Sequence, residues 1–170
     1  MAVTSGWDFD PTVWTVRDGV ISGRQKRGGP SALFSRDSDV ADFELRFRFR
    51  LLSGNSGVNY RSTRLANFDV GGYEFEIYTN KSGNLANVGS DRQRYRLFRA
   101  PDTAEPIDFE WHEGIIIANG TRLIHALDGK TLCDVEDTNP AAPRTGVIAF
   151  SPGTAIDFKD IRLKRLKTNP

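Results

Sequence analysis

Between residues 44 and 51 the chain alternates with a period of two. Leu45, Phe47, Phe49 and Leu51 fall on one side; Glu44, Arg46, Arg48 and Arg50 fall on the other. Successive side chains of a strand point to opposite faces, so the pattern predicts a strand with one apolar row and one polar row. Burial of each large apolar side chain contributes roughly 1.5–3 kcal/mol. The arginine row has two readings, a basic groove or the wetted side of an antiparallel sheet. The same period returns twice. After the turn Gly54-Asn55-Ser56-Gly57, Val58 and Tyr60 share a face while Asn59 and Arg61 share the other. After Gly71-Gly72, Tyr73, Phe75 and Ile77 share a face while Glu74, Glu76 and Tyr78 share the other. If these two strands are neighbours, an amide, an arginine and two carboxylates gather on one side of a sheet, which is chemistry suited to a sugar-binding surface.

Further along, residues 109–118 predict a strand and Asn119-Gly120 a type I′ turn, whose two central residues both need positive φ. Residues 121–127 return, Asp128-Gly129 makes a second tight turn, and residues 131–136 continue the meander. Residues 145–150 and 155–166 predict the last strands. Lys164, Arg165 and Lys167 read as a charged edge that discourages sheet-to-sheet association. Residues 22–30, 79–92, 101–106 and 138–143 read as loops. No long window carries helical periodicity. Short β-rich runs separated by Gly, Pro, Asn and Asp predict an all-β sandwich or barrel. No repeat or linker divides the 170 residues, which suit one domain.

Charge and composition narrow the function. With 23 basic and 22 acidic residues the net charge is +1, which argues against nucleic acid or an anionic membrane surface as partner. No apolar run is long enough for membrane insertion. A single cysteine, Cys133, excludes an intrachain disulfide. Residues 1–6 lack the charged start and apolar stretch of a signal peptide. There is no metal-style cysteine pair, His-Glu-x-x-His, P-loop or dinucleotide fingerprint, and two histidines do not make a His-rich zinc site. No metal or other cofactor is expected.

What remains is the polar set Asn59, Arg61, Glu74, Glu76 and Tyr78, with His125 and Asp128 from the meander and His112 from its first strand. Arg61 and Glu74 form either a cross-strand ion pair or a sugar clamp, with Arg61 and Asn59 donating to sugar oxygens and Glu74 accepting from hydroxyls. Glu74 and Glu76 share a face with Cα atoms ~6.5–7 Å apart, so they could also serve as the paired carboxylates of an ordinary glycosidase. His125 shares its face with Leu123 and Leu127, which suits a core or rim histidine as well as a catalyst. Tyr95 and Trp111 are candidates to stack on a sugar, but core packing is the expected duty of Trp111.

The order of several short motifs carries a resemblance. Trp14 to Gly19 reads Trp-x-Val-x-Asp-Gly, and Asp42 to Leu45 reads Asp-Phe-Glu-Leu. Gly54 to Arg61 reads Gly-Asn-Ser-Gly-x-x-x-Arg, and Gly72 to Glu74 reads Gly-Tyr-Glu. His125 to Gly129 reads His-x-Leu-x-Gly, Gly146 to Ile148 reads Gly-x-Ile, and Phe158 to Leu163 reads Phe-x-x-Ile-x-Leu. Over residues 7–166 the chain thus resembles the 3-keto-disaccharide hydrolase family. The resemblance implies a jelly-roll β-sandwich of two antiparallel sheets, like the concanavalin and laminin-G folds. It also implies cleavage of 3-keto-glycosides by proton abstraction at C2, elimination of the glycosidic oxygen from C1, and addition of water. On that pattern Glu74 or His125 is the base, and Arg61 with Asn59 holds the enolate oxygen. Tyr78 or Glu76 assists the leaving group, and His112 and Asp128 contact substrate. Glu76, His112 and Asp128 stand where many members have Gln, Asn and Asn. The implied partners are an oxidised sugar or glycoside and an oxidoreductase that installs the ketone. Calcium held by backbone carbonyls and aspartates, as in some related sandwiches, has no specific support in the sequence. Relatives are often exported, so a periplasmic or exported location with the leader absent from this chain is the implied one. The alternative on the same fold is a non-catalytic carbohydrate-binding or interaction module.

Overall fold

The structure is a computed structural model that describes residues 6–25, 31–79, 82–88, 94–98, 107 and 109–167, with the backbone alone for 87, 88 and 94–96. Among the described residues fourteen strands follow one another: β1 Trp7–Asp8, β2 Trp14–Arg17, β3 Val20–Arg24, β4 Leu33–Ser35, β5 Phe43–Ser53, β6 Ser56–Arg64 and β7 Val70–Ile77. Then come β8 Leu85–Val88, β9 Arg94–Phe98, β10 His112–Asn119, β11 Arg122–Leu127, β12 Lys130–Glu136, β13 Val147–Ser151 and β14 Ala155–Arg165. The one helical piece among the described residues is a 3₁₀ turn, Ala66–Phe68. A front sheet has the order β1-β4-β13-β6-β7-β8-β9, and a back sheet the order β12-β11-β10-β5-β14-β3-β2. Pairing is antiparallel throughout, and the two sheets stack as a jelly-roll sandwich.

The apolar rows meet where the alternation puts them. Leu45, Phe47, Phe49 and Leu51 of β5 are buried, as are Val58 and Tyr60 of β6 and Tyr73, Phe75 and Ile77 of β7. Phe47 is the hub, edge-on to Phe75, Phe150 and Phe158 at 5.7, 6.2 and 6.3 Å between ring centroids. Such pairs add to burial because the positive edge of one ring faces the negative face of the other. The arginine row of β5 lies on the outer side of the back sheet. There Arg50 and Arg24 share the carboxylate of Asp157, which also accepts from Ser22. Burial raises the Asp157 pKa, but these hydrogen bonds outweigh it and the net shift is downward.

Several expectations are corrected. The first hairpin turn is centred on Gly120-Thr121, because Asn119 pairs with Arg122 and belongs to β10. Only Gly120 has positive φ there, the pattern of a type II′ turn with glycine first. In the second turn both Asp128 and Gly129 have positive φ, 48° and 80°, as type I′ demands. β14 is flanked on both sides only over Ala155 to Phe158, by β5 and β3; Lys164 and Arg165 pair with β5 alone, so the charged end of the strand does lie at an open side. Trp111 is not in the core. It lies half-buried with Lys159 Nζ 4.0 Å and the Arg50 guanidinium 5.0 Å from its ring centre, within cation–π range. Ser22 to Arg24, read as loop, complete β3, and β8 lies in the segment read as loop over 79–92. Residues 101–106 and the side chain of Tyr95 fall outside the described residues. Cys133 is buried opposite His125, and burial pushes its thiol pKa up to about 12.

Candidate functional site

β6 and β7 are neighbours, with Asn59 directly opposite Glu74 and Gly57 opposite Glu76. Across β6 on its other side, Ala149 faces Asn59 and Ser151 faces Gly57. Residues opposite one another in a ladder point to the same face. One row across the outer side of the front sheet therefore runs Ala149, Asn59, Glu74, Ala86, and the next runs Ser151, Gly57, Glu76. The carboxylates and the amide that alternation collected on one face are together in the structure.

Gly57 explains the posture of Glu74. A Cβ on Gly57 would stand 2.4 Å from Glu74 Oε1, so the carboxylate lies over the bare backbone of the neighbouring strand. The Ser151 hydroxyl donates to Asn59 Oδ1 at 3.2 Å, which fixes the amide oxygen on that side and turns the amide N–H group away from it. Asn84 Nδ2 donates to Glu76 Oε2 at 3.0 Å, and the two backbones are also bonded. Glu76 has no exposed surface, whereas Glu74 keeps 5%. Tyr78 lies one residue beyond β7, half-buried, its backbone tied to the Ser82 hydroxyl. Ser151, Asn84 and Gly57 were absent from the set drawn from sequence. Gly57 had a signal, a glycine inside a strand, which marks close approach; Ser151 comes from β13, whose neighbours no local pattern reveals, and Asn84 from the turn just before β8.

Arg61 is elsewhere. The β6–β7 register slips between Tyr60 and Thr63, and Arg61 takes a left-handed φ of 46°. Such a bulge breaks the period of two and re-aims a side chain. The guanidinium turns into the space between the sheets, 1% exposed. It donates to Ala41 O, Gly120 O and Asp42 Oδ1, each at 2.8 Å. Its ion pair is with Asp42, the residue just before β5, not with Glu74. Burial lowers its pKa, and Asp42 counters that shift.

His125 is also inside the sandwich, with no exposed surface. Nδ1 lies 3.2 Å from Gly83 O, an acceptor, so it carries the proton, and Nε2 accepts from the Tyr60 hydroxyl at 2.9 Å. The ring packs 4.8 Å from Phe75. Burial lowers its pKa to about 3, so the folded imidazole is neutral. In the unfolded chain it takes up a proton below about pH 6.5. The unfolded state then binds more protons, and stability falls as pH falls from about 6.5 to about 3. This group alone is expected to remove about 1 kcal/mol between pH 6 and pH 5. Urea titrations at both values should show that loss, and His125→Gln should remove it; an equal loss in the variant would assign it to other groups.

His112 and Asp128 are paired with each other on the back sheet, Nδ1 to Oδ2 at 2.7 Å, and Asp128 Oδ1 accepts from Glu113 N. They do not join the Glu74 row. Among the described residues no group of three or more His, Cys, Asp or Glu could hold a metal ion. No helix among them is long and apolar enough to cross a membrane.

Residues 2–164 match the family described as the 3-keto-alpha-glucoside-1,2-lyase-like domain. No protein of curated function matches. Among solved structures, one candidate glycosyl hydrolase from Parabacteroides distasonis superposes with TM-score 0.75 at 17% identity, covering 96% of this chain and 90% of that one. A second from the same organism gives 0.74 at 19%, covering 95% and 94%. A carbohydrate-binding module of family CBM66 from Bacillus subtilis gives 0.73 at 16%, covering 94% and 95%. At these identities the likeness is one of fold.

Proposed function

We propose a function from one premise: the chain belongs to the 3-keto-alpha-glucoside-1,2-lyase-like family. Its role is carbohydrate-related. The finer reading is cleavage of a 3-keto-glycoside by elimination across C1 and C2, and one observation carries it. The Glu74 carboxylate lies over Gly57 on the outer face, directly across from the Asn59 amide.

A ketone at C3 acidifies the C2 proton, so a carboxylate can remove it. Glu74 takes that proton, and the C–H electron pair becomes the enolate whose oxygen is the former ketone. Asn59 Nδ2 donates to that oxygen, where charge develops; its other side is fixed by Ser151. The enolate pair re-forms the C3 carbonyl and the C1–C2 double bond while the C1–O bond breaks. Tyr78 is the half-exposed group next to the row and protonates the leaving oxygen. Water adding across the double bond completes net hydrolysis and returns the proton to C2. Glu76, held by Asn84, acts as a positioning group for this row. Arg61 and His125 serve the sandwich. An oxidoreductase is the class of enzyme that must supply the ketone.

The test uses two matched glucosides, one native and one oxidised at C3, with aglycone release followed by mass spectrometry. Release from the ketone alone is the expected result. Release from the native glucoside would favour a glycosidase built on Glu74 and Glu76. Binding without release from either would favour a binding module, the description carried by the Bacillus subtilis neighbour.

A further inference from the structure

Beside the Glu74 row the front sheet holds a cavity of about 280 Å³, close to the small end, ~300 Å³, of ligand pockets. Its size suits one small ring rather than a polymer. The floor is apolar, from Ala32, Phe68 and Val70, and the rim is polar, including Asn55, Ser151 and Thr154. Apolar ring faces ringed by hydroxyls are what a pyranose presents, and this lining complements them.

Two features tie the cavity to the proposed chemistry. Ser151 belongs to its wall and also donates to Asn59 at 3.2 Å. Ser151 is the ladder neighbour of Gly57, over which the Glu74 carboxylate lies. Adjacent strands are ~4.8 Å apart, so the wall stands about one strand from the base, comparable to the step across one glycosidic linkage. The floor is also held under strain. Asn67 and Phe68 both have φ of 58°, a conformation in which a bulky residue is an outlier. Phe68 is kept there by a 2.9 Å hydrogen bond from Ala32 N to its carbonyl and by stacking on Phe34 at 6.5 Å. Strain that the surroundings maintain collects at ligand sites. The opposite wall is built just as closely. A Cβ on Gly153, whose φ is 55°, would fall 1.4 Å from Asn55 O, so the β13–β14 turn packs directly on the β5–β6 turn.

We propose that this cavity is a subsite for a neutral hexopyranose, the sugar on the leaving side of the scissile bond. The identity of that occupant as a leaving group rests on the lyase reading above. The cavity's affinity for a hexose does not.

The test therefore has two arms. D-glucose is titrated into ¹⁵N-labelled protein, and shifts are expected at the amides of Asn55, Gly153 and Thr154. Asn55→Ala, an exposed position, should weaken the titration about 3- to 10-fold, and Ala32→Leu should fill the floor and weaken it further. In the second arm, Asn55→Ala should raise KM about 3- to 10-fold for a 3-keto-disaccharide and leave methyl 3-keto-glucoside unchanged. Glucose shifts that avoid the cavity would overturn the subsite, whether or not turnover occurs. Equal effects on both substrates would overturn its place on the leaving side. Glucose in the cavity with turnover of neither substrate would uphold the sugar site and remove the lyase reading instead.

Discussion

Replacing Arg61 by alanine is expected to lower the unfolding free energy by about 3–5 kcal/mol, the usual effect of stripping one partner from a buried ion pair. Asp42, 9% exposed, would keep its charge and lose its cation. The carbonyls of Ala41 and Gly120 would each lose a donor. Asp42 Oδ1 also accepts from Gly120 N at 2.9 Å, so the same change loosens the β10–β11 turn. The effect is large because one side chain joins β6 of the front sheet to two separate segments at the ends of back-sheet strands. Arg61→Lys should recover only part of it, since an ammonium lacks the flat fork that reaches three acceptors in fixed directions. Urea denaturation of the three proteins measures this. Turnover per folded molecule should be unchanged, because the guanidinium faces the interior. A fall in kcat with intact stability would return Arg61 to the outer face.

Changing Glu74 to Gln should act in the opposite way. The shape is kept and the base is lost, so kcat on a 3-keto-glucoside is expected to fall about 10²- to 10⁴-fold, the range for a positioned general base. The denaturation midpoint should hardly move. Gly57→Ala provides an independent check, because its Cβ would stand 2.4 Å from Glu74 Oε1 and displace the carboxylate without removing it. Steady-state kinetics on folded protein decides the matter. If both variants kept full turnover, the proton would have to go to another group and the Glu74 assignment would be abandoned.

The contrast between these residues shows what was legible in the chain. Asn59, Glu74 and Glu76 followed simple alternation, and the structure brings them together because β6 and β7 keep register over Ser56 to Tyr60. Arg61 followed the same count and was misplaced, because one bulge at Tyr60 to Thr63 ends the period just before it. The leucines beside His125 already described a core position. Its partners Tyr60 and Gly83, however, lie 65 and 42 residues away. The core duty expected of Trp111 failed for a related reason: only the assembled back sheet brings Lys159 and Arg50 over its ring. The cavity gathers residues from Gln25 to Thr154, and no window of sequence spans that set. Local patterns gave strands and faces. Pairings between distant strands decided which polar groups meet.

Cys133 sits 1% exposed beneath this polar crossing, opposite His125 on β12. With its pKa pushed up to about 12, almost no thiolate exists at neutral pH, and alkylating agents react with the thiolate. The molecule thus carries a single chemical clock. Its rate of labelling counts how often the β11–β12 ribbon breathes away from the core, independently of any substrate.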